Sequence, residues 1–175
     1  GYPRVGAFRE LKKANEAYWA KKSSVEELLE TAKKIREGNW KTQKDAGIDL
    51  IPSNDFSFKD QVLDLTLTVG AIPARYHSLL NKVDNNYSLY LYFAIARGFQ
   101  QEVIDVTAME MTKWLDTNYH YMVPEFTKDQ EFKLTSEKFL NEYNEAKSLG
   151  IDTKPVLLGP ITYLLIGKEK EAGFD

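Results

Sequence analysis

The sequence predicts an α/β fold built on a parallel sheet. Three segments combine a short apolar strand with a helical pattern that follows it, and these strands begin near residues 48, 118 and 154. Repeated strand-then-helix units pair in parallel and are joined by right-handed crossovers. With 175 residues, of which 43% are hydrophobic, the chain is long enough to bury the core of one domain.

Two helices are predicted ahead of the first strand. Residues 9–21 carry apolar side chains at near-helical spacing, which favours the first helix. Within residues 23–27, two serines are each followed three residues later by a glutamate, so two overlapping capping boxes predict the start of the second helix. Gly47 is expected to end that helix, because glycine readily adopts the left-handed conformation of a C-terminal cap.

The first predicted strand covers residues 48–52 and is bounded by a glycine and a proline. Its length and apolar content favour a buried strand. Asp55 or Ser57 is expected to cap the helix that follows, since short polar side chains bind the free N–H groups of a helix start. Asn86 is expected to cap a later helix over residues 87–97 in the same way.

The second and third predicted strands cover residues 118–123 and 153–158. The second alternates polar or small residues with bulky ones and ends at a proline, which cannot donate to a strand ladder. Residues 102–116, just before it, are ambiguous, and one alternative places Met109 and Met111 on a short helix. The third strand is apolar and ends at a Gly-Pro pair, after which residues 161–166 are expected to be helical.

These units leave two architectures open. A (βα)₈ barrel takes about 250 residues, and three units cannot close one. The chain is therefore expected to form either an open sheet or part of a barrel whose remainder lies outside this sequence.

The stretch from Thr112 to Phe126 is the strongest candidate for function, because it sets charged and amide side chains around an aromatic run. Lys113 and Asn118 fall near the ends of the predicted strand, where loops of α/β folds carry ligand chemistry. In the alternative interpretation, Lys113 and Asn118 only complete a turn into the strand.

A second candidate is the basic start of the first helix, where Arg9, Lys12 and Lys13 lie together. Cations at a helix N-terminus oppose the macrodipole, which favours anions there. A bound anion between the helix start and these side chains would resolve the conflict. The alternative is a solvated basic face, as charge runs commonly form.

Composition excludes several functional classes. A net charge of −3 and an isoelectric point near 5.5 argue against a general nucleic-acid binder. The chain has no cysteine and only two histidines, which excludes disulfides, thiolate metal sites and an all-histidine zinc site.

No apolar run approaches the roughly 20 residues of a membrane span, and no Walker or GxGxxG loop is present. A cytosolic, reducing location fits best, and the missing initiator methionine indicates an excerpt of a longer protein.

A set of motifs in fixed order resembles the amino-terminal part of the cobalamin-independent methionine synthase family, and the resemblance runs the whole length of the chain. The segments that carry it are 1–6 (GYPRVG), 9–13 (RELKK), 16–19 (EAYW), 47–52 (GIDLIP), 111–114 (MTKW), 118–121 (NYHY) and 155–160 (PVLLGP). The departures from the family pattern are small: Tyr2 stands where phenylalanine is usual, and Ala7 and Phe8 vary a loop.

The resemblance implies an enzyme of two (βα)₈ barrels that transfers a methyl group from 5-methyltetrahydropteroyltri-L-glutamate to L-homocysteine in the cytoplasm, forming methionine. Residues 1–175 would form the first part of the amino-terminal barrel, preceded by leading helices. Zinc activates the homocysteine thiol in this family, and its ligands, cysteines among them, lie in the carboxy-terminal barrel. The segment alone is therefore expected to be inactive and to hold no metal.

The resemblance also implies a set of folate contacts, namely Arg9, Glu10, Leu11, Lys12, Lys113 and Asn118. A triglutamate tail carries several carboxylates, and cations with an amide donor would hold them through charge-assisted hydrogen bonds. Arg9, Lys12 and Lys113 are then expected to converge on one tail. The competing hypothesis is a non-catalytic scaffold that docks on the catalytic barrel through the basic helix start.

Overall fold

A computed structural model describes residues 2–80, 88–101 and 104–171. The chain divides into two compact units. Unit 1 consists of Gly1–Phe58 and Phe139–Leu157, and unit 2 consists of Lys59–Lys138 and Leu158–Asp175.

Helices and short strands alternate along the described part of the chain, as expected of a mixed α/β protein. In chain order they are α1 (Glu10–Trp19), α2 (Val25–Asp45), β1 (Ile51–Ser53), α3 (Gln61–Thr68), a 3₁₀ turn (Ala74–Tyr76), α4 (His77–Leu80), α5 (Leu89–Arg97), β2 (Phe99–Gln101), β3 (Ile104–Val106), β4 (Met111–Lys113), β5 (His120–Met122), β6 (Glu125–Phe126), α6 (Lys138–Ser148), β7 (Thr153–Pro155), α7 (Pro160–Leu165) and β8 (Lys168–Glu169).

Local capping chemistry sets the bounds of α2 in unit 1. Ser24 Oγ accepts from the N–H of Glu27, and Glu27 Oε2 accepts from the N–H of Ser24, so the second of the two predicted capping boxes forms. Gly47 follows the last turn with a φ of 75°. This confirms the predicted helix end, because that conformation suits glycine.

Unit 1 contains a parallel pair of strands, β1 and β7. The pairing confirms the predicted parallel arrangement of the first and third strands. Trp40, Ile51, Ala146 and Ile151 form the core beside it, and the Trp40 indole N–H donates to the carbonyl of Pro52 at 3.0 Å. The first strand is shorter than predicted, since residues 48–50 are exposed and only Ile51–Ser53 pair.

The second predicted strand is not part of that sheet. Strand β5 pairs with β4 in an antiparallel hairpin that places Lys113 opposite His120. The expected parallel pairing of this strand with the other two is therefore wrong. The alternative of a short helix around Met109 and Met111 is also wrong, because Met111 begins β4 and Met109 lies in the segment before it.

Unit 2 packs the hairpin against α3 and α7. Its core cluster contains Val62, Tyr121, Val123, Phe126 and Tyr163. Strands β6 and β8 pair in parallel, which gives unit 2 its own parallel pair. The mixed α/β class is thus confirmed, with two parallel and two antiparallel pairs among the described residues.

The N-terminal cap of α3 differs from the prediction. Asp60, rather than Asp55 or Ser57, accepts from the first turn of the helix. Ser88 caps α5 by accepting from the N–H of Tyr90. The predicted cap residue Asn86 lies outside the described residues.

Candidate functional site

The first candidate segment is the start of α1 in unit 1. Arg9 is the N-cap residue and has φ 61° and ψ 38°, a left-handed conformation, without a side-chain cap hydrogen bond. Left-handed backbone is uncommon for non-glycine residues and often marks functional segments. The Arg9 side chain is exposed, and within the described part of the chain it forms no ion pair.

The turn before α1 is fixed by Glu10 and Gly6. Glu10 Oε2 accepts from the N–H of Phe8 at 3.0 Å, and Gly6 has a φ of 81°. A Cβ at Gly6 would meet the Glu10 carboxylate, which is the end of a flexible side chain and can shift, so the left-handed φ is what requires glycine there. Glu10 thus fixes the loop that carries Arg9. It also lies in the first turn of α1, where its negative charge interacts favourably with the positive end of the helix dipole.

Leu11 and Lys12 have different environments. The Leu11 side chain is buried, and its N–H donates to the carbonyl of Val5. Lys12 is exposed and lies 3.7 Å from the carboxylate of Glu16, which is a weak, solvent-screened pair. Its ammonium can therefore exchange Glu16 for another anion at little cost.

The second candidate segment is the β4–β5 hairpin of unit 2. Lys113 is exposed at the end of β4 and forms no ion pair within the described residues. Asn118 is exposed in the connecting loop, and its carbonyl accepts from Nδ1 of His120 at 2.8 Å. Because a carbonyl only accepts, Nδ1 of His120 carries a proton in this hydrogen bond.

The loop between the strands is held by a small network around Trp114. The Trp114 N–H donates to the carbonyl of Tyr119 at 2.7 Å, and the Trp114 carbonyl accepts from the N–H and the hydroxyl of Thr117. Leu115 has a φ of 49° and is 81% exposed. Each candidate segment therefore contains a non-glycine residue in the left-handed region. In the first segment it is the candidate cation Arg9 itself, and in the second it is Leu115, two residues after Lys113.

The inner side of the hairpin is anchored by aromatic packing. The rings of Trp114 and Tyr121 meet edge to face at 5.7 Å, and Tyr121 belongs to the buried core of unit 2. Lys113 and Asn118 therefore project from a segment whose opposite side is fixed by aromatic packing, which favours a defined arrangement of the exposed groups.

Asp60 is a functional candidate that the sequence patterns did not reveal. It is fully buried, and burial raises its pKa to about 7 despite lowering contributions from the N–H groups of Leu63, Met122 and Val62. The nearby Asp64 carboxylate raises the pKa further. Its position directly before the apolar helical run at 61–68 was the available sequence signal, and it was obscured by two cap candidates earlier in the chain, Asp55 and Ser57.

The raised pKa of Asp60 predicts a pH-dependent stability. Its folded-state pKa of about 7 exceeds the ordinary aspartate pKa of 3.8, so its contribution to the free energy of unfolding is complete below that lower value and is lost as the pH rises through about 7. The resulting loss of free energy of unfolding is on the order of 4 kcal/mol. We expect the melting temperature of the full-length protein to exceed that of an Asp60→Asn variant by a margin that shrinks between pH 4 and 8. A margin that stays constant over this range would contradict the assignment.

A cleft in unit 2 was also missed by sequence reasoning. It has a volume of about 560 Å³, and at its wall Arg75 forms a two-pronged ion pair with the buried carboxylate of Glu125. This hydrogen bonding raises the pKa of Arg75 above its usual value. The charged and titratable groups that line the cleft are Arg75, His77, Glu125, Asp129, Glu131, Lys133 and Lys170.

Among the described residues, no three histidine, aspartate or glutamate side chains form a group that could hold a metal ion. No helix in the same part of the chain is both long and apolar enough to cross a membrane.

Comparison with known proteins identifies the family. Residues 1–175 match the model of the cobalamin-independent synthase N-terminal domain. The chain is 67% identical to a 5-methyltetrahydropteroyltriglutamate–homocysteine methyltransferase of Flavobacterium johnsoniae, with 100% of this chain and 22% of the relative covered.

Proteins of the same name from Cytophaga hutchinsonii and Saccharomyces cerevisiae are 61% and 50% identical, again over 100% of this chain and 23% of each relative. The chain thus spans less than a quarter of the length of these relatives. Because the family model covers every residue of the sequence, this chain belongs to the cobalamin-independent methionine synthase family and corresponds to its N-terminal domain.

Proposed function

We propose that this chain is the folate-polyglutamate-binding part of a cytoplasmic enzyme that transfers a methyl group from 5-methyltetrahydropteroyltri-L-glutamate to L-homocysteine to form methionine. The observation that carries the proposal is the match of the whole chain to relatives named for this pair of compounds. Exposed cations at the start of α1 and at the end of β4 support it, because they can pair with the carboxylates of a glutamate tail.

The two segments would have related roles. Arg9, Lys12 and Lys113 would pair with tail carboxylates, and Asn118 would donate an amide hydrogen bond. Glu10 and Leu11 would act by holding the start of α1 in place, through the Phe8 contact and through burial. Binding energy from this remote part of the substrate would help to position the methyl group for transfer.

We propose further that the chemistry takes place in a part of the protein outside this chain. Zinc bound there would lower the pKa of the homocysteine thiol and so supply a thiolate nucleophile. The described residues offer no cluster suited to that metal, so no zinc ligand is assigned to them. This chain alone is expected to be inactive.

We also propose that the chain is the first part of an amino-terminal (βα)₈ barrel. The parallel pairs β1–β7 and β6–β8 are consistent with such a sheet. On α7, Ile161, Leu164 and Leu165 are exposed apolar residues, and contiguous apolar surface of this kind is usually covered by another element. Further strands and helices of the longer protein would cover it.

Charge-neutral variants of α1 test the folate role. In the full-length enzyme, Arg9→Gln and Lys12→Gln should each raise the KM for the triglutamate folate by about tenfold, since hydrogen bonds between charged groups contribute about 1.5–3 kcal/mol. The KM for the monoglutamate folate should change little. Lys41→Gln, which removes another exposed cation of unit 1, is the matched control.

The competing proposal is a scaffold that docks on the catalytic barrel. The 77% exposure of Phe8, directly before Arg9, favours it, because a large exposed aromatic side chain suits a protein interface. A scaffold predicts that charge reversal at Arg9 and Lys12 lowers the melting temperature of the full-length enzyme and leaves the ratio of the two KM values unchanged. A change in that ratio without loss of thermal stability would support folate binding instead.

A further inference from the structure

The buried carboxylate of Asp60 joins two elements of unit 2. Its Oδ1 accepts from the N–H groups of Val62 and Leu63, at 2.9 and 3.0 Å, at the start of α3. Its Oδ2 accepts from the N–H of Met122 in β5, at 3.2 Å. One side chain therefore caps a helix and binds a strand at the same time.

The strand contact lies on the outer edge of the hairpin. The N–H of Val123 donates toward the β4 side, to the carbonyl of Glu110 at 2.8 Å. The N–H of its neighbour Met122 points the other way, because successive N–H groups of a strand alternate in direction. Asp60 is the acceptor that satisfies this donor, which would otherwise be buried without a partner.

A carboxylate is the side chain that fits this position. Both of its oxygens keep lone pairs, so both can accept hydrogen bonds, whereas an asparagine offers an acceptor on one side and an NH₂ donor on the other. Serine would cap α3 as well, but its single short oxygen could not also reach β5. Capping alone does not explain a fully buried aspartate, since burial of a charge is costly.

The same junction has a second hydrogen bond. The N–H of Gln61, next to Asp60, donates to the hydroxyl of Tyr119 at 3.2 Å. Tyr119 follows Asn118 directly in the hairpin loop. The start of α3 thus holds both β5 and the loop whose exposed residues are the proposed folate contacts.

We propose that Asp60 is a positioning residue that fixes the β4–β5 hairpin in the conformation in which Lys113 and Asn118 bind the folate tail. This inference rests on the proposed function of the hairpin. Asp60 itself is buried and does not touch the substrate.

The test combines hydrogen exchange with kinetics in the full-length enzyme. Asp60→Asn and Asp60→Ser should each retain protection of residues 61–68, because both side chains still cap α3. Exchange in residues 111–122 should become about five- to tenfold faster, as expected for loss of one buried hydrogen bond. The KM for the triglutamate folate should rise by a similar factor, with kcat at saturation unchanged.

Ser24→Ala is the matched control, since it removes an N-cap hydrogen bond from α2 of unit 1 and leaves the hydrogen bonds of Asp60 in place. It should leave exchange in residues 111–122 and both KM values unchanged.

If Asp60→Asn and Asp60→Ser leave hairpin exchange unchanged, Asp60 does not hold the hairpin and the inference fails. If exchange rises but the triglutamate KM stays constant while Lys113→Ala raises it, the hairpin binds folate without needing Asp60, and the inference again fails. If Lys113→Ala has no effect on that KM, the proposed function of the hairpin is what fails, and the positioning role for binding fails with it.

Discussion

Replacing Lys113 with alanine in the full-length enzyme is expected to raise the KM for the triglutamate folate by about 10- to 100-fold. A charge-assisted hydrogen bond contributes about 1.5–3 kcal/mol, and each 1.4 kcal/mol corresponds to a factor of ten. The KM for the monoglutamate folate should rise much less, because that substrate carries fewer tail carboxylates. Steady-state kinetics with both folates measures the two values.

Lys128→Ala provides the control for Lys113. Lys128 is also an exposed lysine of unit 2, and no function is assigned to its side chain. It should leave both KM values unchanged. Equal increases for the two folates in Lys113→Ala would show that this lysine does not recognise the tail.

The largest expected effect on stability comes from the buried ion pair of unit 2. Lys138 Nζ lies 3.3 Å from Asp64 Oδ2, and the two side chains are 6% and 1% exposed. Lys138→Met removes a positive charge beside a buried carboxylate, and breaking such a pair costs about 3–5 kcal/mol. The loss should be visible as faster native-state hydrogen exchange in residues 61–68.

Two further variants distinguish the ion pair from a general effect of lysine removal. Lys133→Met breaks the pair with Glu131, whose side chains are 75% and 76% exposed, and should cost less than about 1 kcal/mol. The double variant Lys138→Met/Asp64→Leu should recover most of the stability lost in Lys138→Met, since an apolar pair can replace a buried ionic one. A double variant as unstable as the single one would contradict this account of the pair.

Elements set by local chemistry were predictable from the sequence. The capping box at Ser24 and the glycine end at Gly47 depend on residues within a few positions of each other, so a short window contains the whole signal. The parallel pairing of β1 with β7 was also predicted, because each strand begins a strand-then-helix unit and repeated units of this type pair in parallel.

Strand pairing in the hairpin was not predictable in the same way. Strands β4 and β5 have three residues each, which is too short for periodicity to separate strand from helix around Met111. Their connection requires Leu115 in the left-handed region, and leucine gives no sequence signal for that conformation. The choice of β4 as the antiparallel partner of residues 118–123 therefore depended on tertiary contacts and left no local signal in the sequence.

The candidate site was predictable in part. Its exposed residues, Arg9, Lys12, Lys113 and Asn118, came from charge placement and from family resemblance, and the structure shows all four at the surface of their own units. The supporting residue Asp60 was missed because its second hydrogen bond spans 62 positions of sequence. The Arg75–Glu125 pair was missed for a similar reason, since its partners are 50 positions apart.

The most direct test of the central claim is the affinity of the full-length enzyme for the two folates, measured by calorimetry. The claim predicts that the wild-type enzyme binds the triglutamate form more tightly than the monoglutamate form. The double variant Lys12→Gln/Lys113→Ala should lose most of that preference while keeping its monoglutamate affinity. A double variant that still prefers the triglutamate form as strongly as the wild type would contradict the assignment of the tail to these two segments.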